Sequence, residues 1–461
     1  MTTTSVRRSY VDLFLISFAI LFTELGCIRF LGSTVIFLTF FTNIVLMACF
    51  LGMSIGLLAT SRRRDLVRTV LPLLLVTVVM ALLVLWGYER FSNIAVGVGS
   101  HSSPQNVYFG TEERAGDPSR FVVPIEIVAG FFFVLIALAF VGLGQVMGRA
   151  FAAIPNRVMA YTADVVGSLA GIAAFGVASY LQTTPLAWFT ISVAICLYFI
   201  RPFSRVQLMV GIAVLLAVGR YGYGVGLDTP ISWSPYYKIT YYPWGRVIAT
   251  NNMPHQGMVA LPEGGGGYLL PHRLAESAAG RTPQDVLIIG AGSGNDVAAA
   301  LQSGARHIDA VEIDPVINAL GRKHHPNQPF SDPRVTVHLD DGRSFLKRTD
   351  RKYDLVIYAL VDSLVLHSGY SSLRLESFLF TEDAFRDVQR VLKPDGMFAM
   401  YNYYRQDWVV QRLAGLARKT FGNEPVVIPL GHVTGDGVDA GQLSRFTFVL
   451  CDNGGATVDA V

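Results

Sequence analysis

The sequence predicts two joined parts: a multi-pass α-helical membrane domain, then an α/β domain built on a nucleotide site, with a small β-hairpin region between them. Three observations lead there. Of the 461 residues, 52% are hydrophobic and only 15% charged, and the mean hydropathy is +0.43. That is too apolar for a soluble enzyme of this size, and nearly all of the excess lies before residue 225. The stretch from Asp285 to Gly342 reads as strand, glycine turn, helix, strand and terminal acid in βαβ order. Residues 236–261 alternate apolar and polar, with turn residues at Asn251-Asn252 and Pro254, as a small antiparallel sheet does. The expected domains are 1–226, 227–280 and 281–461.

Charge and cysteine content narrow the partners. A net charge of +3, with basic residues in short clusters between apolar runs, implies no nucleic-acid partner. Cys27, Cys49, Cys196 and Cys451 form no metal-like spacing, and three of them lie in apolar runs, so neither zinc nor disulfides are expected.

At the N-terminus, Arg7 and Arg8 precede an apolar run with no small-residue cleavage site, which reads as a retained first span. Candidate spans are 11–31, 36–58, 67–87, 121–147, 158–181 and 185–200, each long enough for ~30 Å of hydrocarbon. A seventh run, 206–218, is short and reads as a tilted span or a half-inserted helix, giving six or seven spans; the non-crossing form is favoured because six spans leave the C-terminal domain cytoplasmic. With six spans, Arg7 and Arg8, Arg62–Arg64 with Arg68, Arg149 with Arg157, and Arg201 with Arg205 share one side, which should be cytoplasmic. The protein is thus expected in the cell (inner) membrane with its C-terminal domain in the cytoplasm and the lipid bilayer as partner. Asp12, Glu24, Arg29, Glu126 and Asp164 lie within spans and should face the bundle interior or an interface. One expectation is that Glu24, Glu126 and Asp164 line a cavity for a cationic or amphiphilic acceptor. Gly52…Gly56, Gly144…Gly148 and Gly167…Gly171 are small-xxx-small pairs that predict close helix packing.

In the third domain, Val286–Ile289 reads as a strand buried on both faces. It breaks at Gly290-Ala291-Gly292-Ser293-Gly294, where missing side chains let backbone N–H groups approach a ligand, and an alanine-rich helix from about Asp296 points its N-terminus at the same spot. A second strand ends in Glu312, about 20 residues past the glycines, where a carboxylate can accept both hydroxyls of a ribose. Asp314-Pro315 reads as N-cap and first helical residue. Asn295 at the third fingerprint position argues against a dinucleotide. A third strand, Val335–Leu339, ends in Asp340-Asp341-Gly342, placed to meet an adenine amino group, with Asp341 the first choice and Asp340 its competitor or a turn former. This favours an adenosyl-sulfonium ligand. A fourth strand, Tyr353–Tyr358, ends where a reacting group should sit.

Val286–Gly294, Val311-Glu312-Ile313-Asp314, Asp332-Pro333-Arg334-Val335, Asp341-Gly342 and Tyr353-Asp354 resemble the spermidine synthase (polyamine aminopropyltransferase) family, here fused to a membrane domain. Ser234-Pro235-Tyr236 and Gly245-Arg246-Val247 look like that family's N-terminal β-hairpin region. The resemblance implies the Rossmann-like fold of S-adenosylmethionine-dependent methyltransferases. It also implies a transferase using decarboxylated S-adenosylmethionine, no metal, and a polyamine acceptor. It departs at two places. The family's aspartate for the cosubstrate amine aligns with Ser293. Of the family's two aspartates after the fourth strand, the first, catalytic one aligns with Ala359 and the second with Asp362.

An amine nucleophile must lose a proton before it attacks, so a base is needed. Asp362 is the nearby carboxylate, and His367 in the loop Ser363–Phe378 has a side chain that titrates near neutrality. Arg374 in the same loop, with Tyr236 and Tyr268 as aromatic pocket walls, completes the acceptor-side candidates, against Gly290, Gly292, Ser293, Gly294, Glu312, Asp340 and Asp341 for the nucleotide. Two other readings remain. Ser293 and Ala359 favour methyl transfer from S-adenosylmethionine to a membrane-associated acceptor, and a nucleotide-gated transport or sensor protein would need no turnover. A homo-oligomer is compatible with each.

Overall fold

In the computed structural model the apolar chain before residue 225 is largely helical. The structure describes residues 3–35, 38, 42–91, 94–97, 121–224, 229–261, 266–361, 378–403, 407–430 and 446–453. Helices α1 (Thr3–Thr34), α2 (Thr42–Leu58) and α3 (Val70–Arg90) are followed by two short parallel strands, β1 (Ile94–Gly97) and β2 (Phe121–Pro124). Then come α4 (Ile125–Ala153), α5 (Arg157–Tyr180), α6 (Pro185–Ile200) and α7 (Arg205–Gly222). Among the described residues, five helical stretches are long and apolar enough to cross a membrane: Arg8–Thr34, Leu66–Arg90, Ile125–Ala153, Arg157–Tyr180 and Arg205–Gly222.

Three details differ from the expectation. The run at 36–58 yields a helix of only 17 residues starting at Thr42, while α6 keeps the expected bounds 185–200 but, at 16 residues, is shorter than the five long apolar helices. Conversely, the seventh run, expected to stop at residue 218, is an 18-residue helix. Ser204 and Gln207 start it with a reciprocal capping box, and it continues past Val218 because Gly219-Arg220-Tyr221-Gly222 keeps helical geometry. Finally, Glu126 is exposed in the first turn of α4, so it lines no interior cavity. Glu24 is buried, while Asp164 is half-buried and accepts the Ser17 hydroxyl at 2.5 Å.

The glycine pairs pack as predicted. A Cβ built on Gly52 would stand 2.1 Å from the Ala137 carbonyl oxygen, and one on Gly167 would stand 2.5 Å from that of Phe14. Backbones of α2 with α4, and of α1 with α5, therefore touch where only glycine fits.

Next in sequence, β3 (Ile231–Trp233), β4 (Lys238–Tyr242), β5 (Val247–Thr250) and β6 (Met253–Gly257) form one sheet in that order. Asn251 and Asn252 turn the chain at φ of 49° and 65°, a left-handed pair that asparagine tolerates. Pro254, expected in a turn, lies within β6. The chain divides into two units. The first holds α1 to α7 and runs to Tyr241 with Ala249–Pro254; the second holds Tyr242–Ile248 and the chain from His255 onward.

The second unit opens with α8 (Gly266–Ala279). It continues through β7 (Asp285–Ile289), α9 (Asn295–Gln302), β8 (His307–Glu312), α10 (Pro315–His324), β9 (Val335–Leu339), α11 (Gly342–Arg348) and β10 (Tyr353–Ala359). It closes with α12 (Glu382–Val391), β11 (Leu392–Tyr403), α13 (Asp407–Phe421), β12 (Val426–Leu430) and β13 (Phe446–Asp452). The seven strands lie in the order β12-β13-β11-β10-β7-β8-β9. β13 runs antiparallel to both its neighbours, while the pairs from β11 through β9 are parallel. This is the methyltransferase arrangement, in which the last strand inserts beside the fifth.

Alternate residues of β7 serve opposite faces, as a pleated strand requires. Val286 and Ile288 pack with Leu274 of α8 and Val297 and Ala300 of α9, whereas Leu287 and Ile289 pack with Leu346 of α11, Phe385 and Val388 of α12 and Leu413 of α13. With helices on both faces, the open ground for a ligand is the C-terminal edge of the parallel strands.

Candidate functional site

Three sharp turns at the end of β7 build the floor of the site. Gly290, Gly292 and Gly294 adopt φ of 79°, 54° and 110°, a region closed to most side chains. The sequence suggested that the loop's amides would be free for a ligand. The structure instead supplies each with a protein acceptor. Gly290 N and Ala291 N donate to the Val311 carbonyl at 2.9 and 3.0 Å, and Gly294 N donates to that of Ala291 at 3.0 Å. Gly292 N donates to Glu312 Oε2 at 2.7 Å. Ser293 N and Oγ both donate to Gln256 Oε1, at 2.8 and 2.7 Å. Gln256, at the end of β6, carries no signal in the sequence beyond its place in an alternating strand.

Glu312 also accepts from Asp314 N through Oε1 at 2.8 Å, so it fastens β8's end to the glycine loop. Each of its oxygens retains a second lone pair. Burial pushes its carboxyl up to about 7, against the opposing pull of the Asp314 and Gly292 amides. Asp314 caps α10 through Val316 N and Ile317 N, as its sequence position predicts.

The acid pair after β9 divides its duties. Asp340 accepts from Asp341 N at 2.9 Å and pairs with Arg348, the turn-forming alternative. Asp341 accepts from Ser344 N at 2.8 Å, capping α11.

On the acceptor side, the Tyr268 hydroxyl oxygen accepts from Asn295 Nδ2 at 3.0 Å, and its ring centroid is 6.5 Å from that of Tyr401. Asn295, the departure from the dinucleotide fingerprint, also donates to the Gly257 carbonyl at 2.8 Å and accepts from Val259 N at 3.0 Å. It thereby holds the segment after β6 against α9. Tyr236, 38% exposed, belongs to the first unit, and its backbone N–H donates to Ser234 Oγ. Asp362, His367 and Arg374 lie outside the described residues. Among the described residues, no three His, Cys, Asp or Glu side chains gather as a metal would require.

Several residues of the second unit that the sequence did not single out are also notable. Asp296, in the first turn of α9, accepts the Tyr401 hydroxyl, and burial pushes its carboxyl up to about 7. His272 of α8 is buried with neither ring nitrogen hydrogen-bonded among the described residues, and burial pushes it down to about 4. Leu360, the residue after β10, sits at φ 43°. Apolar-looking helices and strands gave no warning of these groups.

Comparison with known proteins places residues 271–418 in a match to the spermine/spermidine synthase domain, the family its motifs resemble. The chain is 28% identical over 149 residues to the polyamine aminopropyltransferase of Korarchaeum cryptofilum, covering 31% of this chain and 44% of that protein. It is 30% identical over 119 residues to that of Sulfolobus acidocaldarius, covering 25% and 37%. Against the spermine synthase of Arabidopsis thaliana it is 28% identical over 190 residues, covering 39% and 47%. The chain therefore spans less than half the length of these relatives. Among solved structures, spermidine synthase in complex with the transition state analogue AdoDATO shares 19% identity at a TM-score of 0.36, over 49% of this chain and 71% of that one. Human methyltransferase-like protein 13 in complex with SAH shares 19% at 0.29, over 40% and 78%.

Proposed function

We propose that this chain is a membrane-anchored transferase that moves an aminopropyl group from decarboxylated S-adenosylmethionine to a polyamine. The observation that carries this reading is the spermine/spermidine synthase match over 271–418, which covers the glycine loop, Glu312, Asp341 and the end of β10 in one sheet. In it, the remaining lone pairs of Glu312 take the ribose hydroxyls, and Asp341, fixed by its capping bond, faces the adenine. The sulfonium is already an activated electrophile, so the protein's task is alignment with an amine and removal of one proton.

The first unit supports anchoring. Its helices present large apolar side chains outward, among them Leu58 at 85%, Leu216 at 69% and Ile127 at 64% exposure, a pattern suited to acyl chains and not to water. With six crossings and α7 lying along the membrane without crossing it, the arginine clusters put the second unit in the cytoplasm, where adenosyl nucleotides are made.

Methyl transfer from S-adenosylmethionine is the second reading, and Ser293 and Ala359 favour it, since they replace two family aspartates. One assay separates the two. The full chain in detergent is offered each nucleotide with a polyamine mixture and a lipid extract, and the adenosyl product is identified. 5′-Methylthioadenosine is the expected product; S-adenosylhomocysteine would transfer the conclusion to the second reading.

A further inference from the structure

Building on the aminopropyl-transfer reading, we propose that Asp296 takes the proton from the acceptor amine, with Tyr401 positioning its carboxylate. At Ala359 the strand that ends the reacting side offers only a methyl group, yet an ammonium acceptor must lose a proton before it can attack. The neighbouring strand resolves this. Tyr401 of β11 is the register partner of Ala359 of β10, and partners in a parallel pair project to the same sheet face. Both belong to the same buried cluster, under α8 and α9. The Tyr401 hydroxyl donates to Asp296 Oδ1. Asp296 itself stands two residues past Gly294, in the first turn of the helix that springs from the glycine loop. Asp296 thus offers a carboxylate from α9, held by Tyr401, the strand neighbour of Ala359.

Two further observations mark the same place. Leu360 follows Ala359 at φ 43°, a left-handed conformation that costs a leucine on the order of 1 kcal/mol and is concentrated at functional sites. Buried Asn402, beside Tyr401, donates to the Val361 carbonyl and fixes this turn. Burial holds Asp296 near neutrality, a base strength matched to its task.

The step balances. The acceptor ammonium gives one proton to Asp296, and the freed nitrogen lone pair bonds to the methylene beside the sulfonium. The carbon–sulfur electron pair goes to sulfur, which leaves as a neutral thioether. Asp296 then releases its proton to water, so the two reacting cations, sulfonium and ammonium, end as one ammonium and one proton.

The test follows methylthioadenosine formation by the full chain in detergent against pH, with decarboxylated S-adenosylmethionine and a polyamine mixture. The wild type should show an acidic limb near pH 7. Asp296→Asn should lose about 10²-fold or more in turnover while binding the nucleotide within a few-fold of wild type, and Asp296→Glu should recover part of the rate. Tyr401→Phe removes a donor that favours the charged carboxylate, so its acidic limb should move to higher pH. A merely structural pair would leave the limb in place, and an unmoved limb in Tyr401→Phe overturns the proposal even if the asparagine variant does not fold. An Asp296→Asn chain that turns over like wild type overturns it as well. If the wild type itself forms no methylthioadenosine with any polyamine, the underlying reading fails, an outcome separate from either of these.

Discussion

Glu312 is a structural tie in the fold and, on the function proposed, a ligand group as well. Its two oxygens hold Gly292 N and Asp314 N, so Glu312→Ala would orphan two buried amides, at about 1–3 kcal/mol each. We expect a lower melting temperature together with at least a tenfold loss of adenosyl-nucleotide affinity, read by calorimetry on the full chain; unchanged affinity would remove Glu312 from the binding site. His272 makes the opposite point, because no described residue hydrogen-bonds its ring. Its folded value, about 4, lies below the ordinary 6.5, so it binds a proton less readily in the native state than in the unfolded one. Its contribution is therefore intact above pH 6.5 and is lost as pH falls towards 4, by up to about 3 kcal/mol. His272→Leu should flatten that acid-side loss when denaturant midpoints are compared at pH 7 and pH 5. An equal decline in both chains would refute the assignment.

Among the elements, the tightest constraint is the contact between α2 and α4. A Cβ on Gly52 would overlap the Ala137 carbonyl, and backbone cannot yield as a side-chain tip can. Gly52→Val should cost about 1–3 kcal/mol or more. Gly176→Ala, on α5 with nothing within 4 Å of its added Cβ, should instead raise stability by about 0.5–1 kcal/mol. Thermal unfolding of the two detergent-solubilised variants checks both signs. These pairs were legible because i, i+4 glycines fall on one helix face. The caps at Asp314 and Asp341 follow equally local rules, although for Asp341 the sequence pointed first to adenine. The extent of α7 was not legible, since hydropathy fades at residue 218 while the helix hydrogen bonds continue to Gly222.

The whole molecule, on the function proposed, joins an apolar bundle to an adenosyl-dependent transferase. The chain should stay with the membrane after alkaline carbonate washing, and release into the supernatant would refute anchoring. Little beyond the nucleotide floor could be located from motifs. Asp296 and Tyr401 are 105 residues apart, and only the strand order that sets β11 next to β10 brings them together. Gln256 likewise reaches Ser293 across 37 residues.

The sequence by itself determined what depends on short-range physics: apolar helical stretches, a strand buried on both faces, a glycine turn and the acid one strand away. Each follows from hydropathy, side-chain period or the steric freedom of glycine within a few dozen residues. Only the tertiary structure decided which groups occupy the loop's amides and which carboxylate the Tyr401 hydroxyl meets. Those choices rest on sheet order and side-chain reach between distant segments, and no local pattern encodes them.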